Sequence, residues 1–463
     1  MSDAPDRRPG QAGVDRSRVP VPGAGQAFRF PPIEKSALPN GLRVWSITHA
    51  AIPLTSLLLL VRRGAASDPR GREGLAALTL DMLDEGSGDR SAIQMHEALA
   101  AIGAQLDTDI GPDASLLGTT VLSRFADRAM HLLADMLVRP ALRDEDFSRV
   151  RQLRLHRLMQ LRDMPGALAD RTFTNLLYGS HPYGHTPLGN EVSLADMAVS
   201  DVREFHESIL RPAETTVVAV GDCDHETIHR LAADAFGGWQ GYAPTLTESG
   251  NDLPHPARLN VVPRPGAPQS ELRIGHVAVP RSTPDYYALV AANMILGGQF
   301  VSRLNMNLRE DKGFTYGART AFEFRRQPGP FTLQVSVHTA ATGRAIEESM
   351  VEIAGIRGRR PVTAEELSVG VAALTRGYAR NFETAEQIAR AVTQLLVHDL
   401  PDDYFAQFVP AVEQITPRDV MSAAERHLHP ERLTTLIVGD LDAIGDSLPG
   451  LGLGEPVILH AAV

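Results

Sequence analysis

The chain of 463 residues is about three times the commonest size of a single domain, so we expect two or more domains or one duplicated unit. A hydrophobic content of 43% with 22% charged residues is typical of a globular protein and excludes a mostly disordered chain. The net charge of −11 gives no general basic surface, and we therefore expect no nucleic-acid partner.

The first thirty residues are rich in Pro, Gly, Arg and Asp and lack the apolar centre of a signal peptide, so we expect a disordered tail over 1–30. No apolar run reaches the roughly 18 to 20 residues of a membrane helix, and the most hydrophobic run, LLLLV at 57–61, has the length of a strand. The sequence predicts no membrane span. It leaves the compartment open: cytoplasmic as the chain stands, or periplasmic if a presequence has been removed.

From residue 31 onward, one order of elements recurs. Apolar strands such as LRVWSI and TSLLLLV come first, long helices follow, and a buried strand closed by Gly-Asp comes last. Residues 200–224 match 417–442 at one constant offset, including the strands TVVAV and TLIV and the Gly-Asp after each. A looser match links AALTLDMLDEG at 76–86 with ALVAANMILGG at 288–298.

This repetition predicts two copies of one α+β unit. We expect the first over 31–245 and the second over 258–463, joined by a polar linker with Pro and Gly at 246–257. Each copy is expected to be a largely antiparallel sheet with helices on one face.

His225, Glu226 and His229 form a literal H-E-x-x-H, the spacing with which a helix binds zinc through two imidazoles and activates water with a glutamate. We expect Asp222 and Asp224 to cap this helix, which places His225 in its first turn. The positive end of the helix dipole disfavours a cation there. A zinc peptidase built on this motif is therefore the disfavoured alternative.

The segment 295–318, ILGGQFVSRLNMNLREDKGFTYGA, resembles the C-terminal half of the pitrilysin and mitochondrial processing peptidase family of zinc peptidases. The N-terminal half agrees through LPNGLRVW at 38–45 and GSHPYGHTPLGN at 179–190, so that the resemblance covers about 33–445. It implies a duplicated α+β fold in which two such halves form one side of a hollow chamber.

Active members of that family carry an inverted zinc motif, H-x-x-E-H, on the first long helix, and a glutamate ligand roughly 75 residues further on. Aligned on that motif, this chain has Ala77 and Asp81 at the histidine positions and Leu80 at the general base. Near the expected glutamate it offers His156 and Arg157. Alanine and leucine neither bind Zn²⁺ nor activate water, so the resemblance implies no zinc in this chain and no cleavage by the isolated chain.

The resemblance also implies a role for Arg309 and Tyr316, because the family uses an arginine and a tyrosine seven residues apart to hydrogen-bond the scissile carbonyl and its tetrahedral intermediate. In paired bacterial members, one subunit holds zinc and the other has lost the motif but keeps this pair. The resemblance thus implies a zinc-free subunit that binds peptide substrates beside a homologous, zinc-binding partner in a heterodimer.

Two alternatives stay open. The chain could be a scaffold without a peptidase role, and Arg309 could pair with Glu310 or Asp311 while Tyr316 packs against the protein.

Overall fold

The computed structural model describes residues 29–241 and 253–460. The expected tail therefore lies outside the described residues except at 29–30, and so does the expected linker except at 253–257. The proposed boundaries near 245 and 258 stay predictions.

The first half contains strands β1 to β8 and helices α1 to α8 in the described residues. The strands are β1 (Glu34–Ala37), β2 (Arg43–Thr48), β3 (Leu54–Val61), β4 (Gly86–Ser87), β5 (Arg90–Ser91), β6 (Asp107–Ile110), β7 (Ser115–Leu122) and β8 (Thr215–Gly221). The helices are α1 (Leu75–Met82), α2 (Ala92–Ala100), α3 (Ala126–Val138), α4 (Asp144–Arg162), α5 (Pro165–Tyr178), α6 (Glu191–Asp196), α7 (Val199–Ile209) and α8 (His225–Phe236).

The second half contains strands β9 to β14, helices α9 to α15 and two π-helices in the described residues. The strands are β9 (Leu259–Pro263), β10 (Gln269–Val277), β11 (Ala318–Phe322), β12 (Pro330–His338), β13 (Thr434–Gly439) and β14 (Val457–Ile458). The α-helices are α9 (Tyr286–Leu296), α10 (Thr342–Ala354), α11 (Ala364–Thr375), α12 (Ala385–His398), α13 (Tyr404–Glu413), α14 (Pro417–His427) and α15 (Leu441–Ile444). The π-helices are Asn305–Asp311 and Gly355–Arg359.

The two halves build sheets with the same strand order. Within the described residues the first sheet of six strands runs β1-β2-β8-β3-β7-β6, and the second runs β14-β9-β13-β10-β12-β11. The matched sequence segments end in β8 and β13, which occupy equivalent places: each is antiparallel to one neighbour (β3 or β10) and parallel to the other (β2 or β9). The sheets differ at one edge, where β1 is antiparallel to β2 but β14 is parallel to β9.

Each sheet packs on one face against helices of its own half. In the first sheet, Leu57, Leu59 and Val217 join a buried cluster with residues of α3 and α8. In the second, Leu272 and Ile274 join a cluster with residues of α9, α10 and α14. Because side chains alternate along a strand, the intervening apolar residues face the other side and need a second cover.

That second cover comes from the opposite half. Leu58, Leu60 and Val218 of the first sheet pack with α12 and α13, and both helices belong to the second half. On the second sheet, Leu436 and Val438 pack with α5, which belongs to the first half. Strands buried on both faces read as continuous apolar runs, and this explains LLLLV and TVVAV.

Ion pairs accompany these contacts. Arg273 of β10, with a side chain only 6% exposed, donates to the Asp170 carboxylate of α5 at 2.6 Å and to the Gly166 carbonyl at 3.2 Å. On the other sheet, Arg390 of α12 pairs with Asp107 of β6. The two halves are therefore joined by apolar and charged contacts together.

We expect Ile388→Ala in α12 to destabilise the first half, because Ile388 is 1% exposed and covers the first sheet. Removing a buried isoleucine side chain in this way costs about 2 to 5 kcal/mol of unfolding free energy. Both tryptophans of the chain, Trp45 and Trp239, lie in the first half. Their fluorescence in a denaturant titration should show a lower midpoint, although the substitution is in the second half.

The matched control is Ile93→Ala, since Ile93 is 72% exposed and its loss should change the free energy by less than about 0.5 kcal/mol. An unchanged fluorescence midpoint in Ile388→Ala, with a lowered midpoint by circular dichroism, would show that the halves unfold independently.

Candidate functional site

Helix α1 carries Ala77, Leu80 and Asp81, the positions that the resemblance aligns with the inverted zinc motif, and hydrogen bonds hold its N-terminus in place. The buried carboxylate of Asp68 accepts hydrogen bonds from the backbone N–H groups of Gly74 and Ala76, both at 2.6 Å. His185 Nε2 lies 2.9 Å from the same carboxylate. Gly74 has a φ of 98° and lies so close to Gly189 that a side chain would not fit. This framework fixes which face α1 turns toward α4.

The face of α1 that is turned toward α4 carries an ion pair. Ala77 and Leu80 are buried, and Asp81 pairs with Arg154 of α4, which also donates to the Pro187 carbonyl at 3.0 Å. The guanidinium neutralises the Asp81 carboxylate and would repel a second cation. The arrangement is therefore unsuited to Zn²⁺, which needs three protein ligands at a catalytic site.

Sequence reasoning missed Arg154 and named its neighbours instead. His156 and Arg157 are exposed, and His156 Nε2 lies 3.0 Å from the Gln152 side chain rather than beside α1. The apolar spacing of α4 held the missing signal: its buried residues are Phe147, Val150 and Leu158, and Arg154 lies four residues from each of the last two.

A cleft of about 640 Å³ opens beside this ion pair, between α1, α2 and α4. Its walls include Asp84, whose pKa is raised above the usual range by burial and by the neighbouring charge of Glu85. Across residues 29–241 and 253–460, no cluster of three or more His, Cys, Asp or Glu side chains is arranged to hold a metal ion.

The H-E-x-x-H motif lies elsewhere, on α8. As expected, Asp224 caps the helix by accepting from the Thr227 N–H at 2.8 Å, and His225 is its first residue. His225 Nδ1 lies 2.8 Å from the Ser46 hydroxyl, and His229 Nδ1 lies 2.7 Å from the Ser36 hydroxyl. Each imidazole is thus engaged by a serine of the first sheet.

The structure brings Arg309 and Tyr316 into one cleft of about 530 Å³. The guanidinium of Arg309 lies 3.8 Å over the ring of Phe300, and its Nε is 3.5 Å from the Glu310 carboxylate, a long contact. Tyr316 is 90% exposed, so it does not pack against the protein, and its hydroxyl has no hydrogen-bonding partner among the described residues. Both side chains therefore have donors available to a ligand.

Asparagines fix the segment that bears this pair. The buried Asn305 side chain donates to the Ala318 carbonyl and accepts from the Ala318 N–H, both at 2.9 Å, which ties the π-helix Asn305–Asp311 to β11. Asn307 donates to Glu348 at 2.9 Å and to Glu352 at 2.8 Å on α10. Single π-helical turns are frequent at functional sites, and here one carries Arg309 after two anchored residues.

Comparison with known proteins agrees with the resemblance. The family description "Insulinase (Peptidase family M16)" matches residues 43–191, and "Peptidase M16 inactive domain" matches residues 196–374. The two matches together span more than two thirds of the chain. The chain belongs to peptidase family M16.

Similar proteins of this family are named zinc proteases. An uncharacterized zinc protease of Mycobacterium bovis is 25% identical over 416 residues, which covers 88% of this chain and 92% of that protein. The uncharacterized zinc protease YmxG of Bacillus subtilis is 21% identical over 340 residues, covering 72% of this chain and 81% of its own length.

Solved structures share the α+β fold. A peptidase M16 inactive domain from Pseudomonas fluorescens superposes with a TM-score of 0.82 at 22% identity, covering 88% of this chain and 98% of that one. A protease from Helicobacter pylori gives a TM-score of 0.81 at 18% identity, covering 88% of this chain and all of that one. In the part of the chain that the structure describes, no helix is long and apolar enough to cross a membrane.

We expect the purified M16 chain to contain well below one zinc per molecule, because Ala77, Leu80 and the Asp81–Arg154 pair offer no ligand set. Mass spectrometry of metals after dialysis against zinc measures this. Near-stoichiometric zinc that disappears in His225→Ala or His229→Ala would instead establish the site on α8.

Rebuilding the zinc site tests the placement of Arg154. We expect a variant with Ala77→His, Leu80→Glu, Asp81→His and Arg154→Glu to gain zinc, because position 154 faces position 81. The matched control carries the first three changes with Arg157→Glu, and it should bind much less. Equal zinc in both folded variants would contradict this placement.

Proposed function

We propose that this chain is the zinc-free subunit of a heterodimeric M16 peptidase, in which Arg309 and Tyr316 bind the peptide carbonyl that a homologous H-x-x-E-H partner cleaves. The observation that carries the proposal is that both side chains line one open cleft with unused donors. The family membership supports the peptidase context.

The contrast between the two halves supports a division of labour. The first half has an ion pair where an active member binds zinc, so it supplies neither metal nor activated water. In the second half, the cleft that Arg309 and Tyr316 line is open. An exposed tyrosine adds nothing to the stability of the isolated chain, so stability does not explain the position of Tyr316. A chain with donors but no metal fits the reaction only beside a partner that has the metal.

The chemistry of the pair suits a developing oxyanion. The Phe300 ring supports the guanidinium of Arg309 from one face and leaves its N–H edges available. A phenol and a guanidinium that donate to the same oxygen stabilise the tetrahedral intermediate more than the planar carbonyl. Arg273 and Arg319 also line this cleft, and Arg273 is already committed to Asp170 and Glu271.

We expect Arg309→Ala and Tyr316→Phe each to lower kcat by roughly 10² to 10³, or about 3 to 4 kcal/mol, when mixed with the wild-type partner. Assembly should be unchanged, because Tyr316 is exposed and Arg309 contacts mainly Phe300. The measurements are peptide cleavage and sedimentation of the mixture, with the homologous chain that carries H-x-x-E-H from the same organism.

The matched controls are Tyr287→Phe, which removes another phenol of the second half, and Arg230→Ala on the exposed face of α8. Both should retain full turnover. Turnover within about twofold of wild type in both Arg309→Ala and Tyr316→Phe, with assembly intact, would leave the chain as a scaffold.

A further inference from the structure

A separate cavity of about 390 Å³ lies between α10, the π-helix Gly355–Arg359 and the segment 450–453 near the C-terminus. Neither Arg309 nor Tyr316 lines it. Its volume falls within the range of about 300 to 1,000 Å³ that is typical of small-molecule sites. Nothing in the proposed peptidase role uses this cavity.

The charged side chains of this cavity are mostly cationic. Arg258, Arg359 and Arg360 line it, against Glu347 as its one acidic lining residue in the described chain. Arg360 is already paired with Glu352. A cationic cavity is notable in a chain with a net charge of −11, since the surrounding surface is on average acidic.

The two remaining arginines have unused donors. Arg258 Nη2 donates to the Pro430 carbonyl at 3.1 Å, but its Nε is buried and has no acceptor. Arg359 is exposed and has no carboxylate within 4 Å among the described residues. A buried N–H without an acceptor is unfavourable, so an acceptor that reached it would be bound favourably.

The rest of the lining is apolar. Ile346 and Leu453 are buried, Met350 and Leu451 are partly buried, and Val351 is 51% exposed beside them. At Gly450 and Gly452 the space beside the backbone is open, because an added side chain would meet no atom within 4 Å. A ligand in this cavity therefore meets both arginine donors and aliphatic walls.

We propose that this cavity binds an aliphatic carboxylate. The carboxylate accepts from Arg258 and Arg359, since the guanidinium fork matches the two oxygens of a carboxylate. The aliphatic chain lies against Met350, Leu451 and Leu453. A free fatty carboxylate and the C-terminus of an apolar peptide share this chemistry.

The test is isothermal titration of the full-length protein with octanoate. We expect saturable binding at one site, and a Kd at least tenfold weaker in Arg258→Met and in Arg359→Met, which is about 1.4 kcal/mol. Arg359 is exposed and unpaired, so its variant should fold even if Arg258→Met is destabilised. The matched control is Arg376→Met at the exposed end of α11, which should bind as the wild type does.

Three further ligands test whether the cavity recognises the carboxylate charge and which kind of molecule carries it. Octanol and octyltrimethylammonium should bind at least tenfold more weakly than octanoate, because they lack the acceptor charge. A trileucine peptide that binds more tightly than octanoate, and loses affinity when amidated, identifies a peptide C-terminus as the source. No saturable binding of octanoate, equal binding of octanol, or unchanged affinity in both arginine variants would overturn the proposal.

Discussion

Each β-sheet of this protein depends on helices from the other half of the chain. The strands at the centre of the first sheet are apolar on both faces, and one face is covered only when α12 and α13 of the second half pack on it. The second sheet has the same relation to α5 of the first half. Burial of an aliphatic side chain contributes about 1.5 to 3 kcal/mol, so exposing either face would remove much of a marginal stability. The duplicated halves therefore form one mutually dependent unit.

This dependence gives the first half a structural role in the cleft of the second half. Its helix α5 reaches the second sheet, and there Asp170 holds Arg273 in the floor of the cleft that Arg309 and Tyr316 line. The first half thus supports the second half's cleft, while Asp81 of its own helix α1 is paired with Arg154. Ala77 and Leu80 of the same helix are buried, so α1 contributes to the core of the first half.

The fold could be predicted from sequence where the signal is local or repeated. The strands that end in Gly-Asp and the cap at Asp224 were both predicted and confirmed, because each depends on a few adjacent residues. The apolar stripe of α12 shows that the helix is buried but not which sheet it covers. Likewise, the serines that engage His225 and His229 lie 179 and 193 residues away, so no local pattern indicates them.

Arg154 and Arg309 show why residue type alone does not decide a site. Arg154 is largely buried, and its donors are taken up by the Asp81 carboxylate and the Pro187 carbonyl. Arg309 rests on an aromatic face, and Glu310 approaches it only at 3.5 Å, so its N–H groups remain available in an open cleft. The difference comes from neighbours that the fold supplies: a carboxylate on α1 for one and the Phe300 ring for the other. One arginine is therefore committed to a carboxylate inside the fold, and the other keeps its donors free in an open cleft.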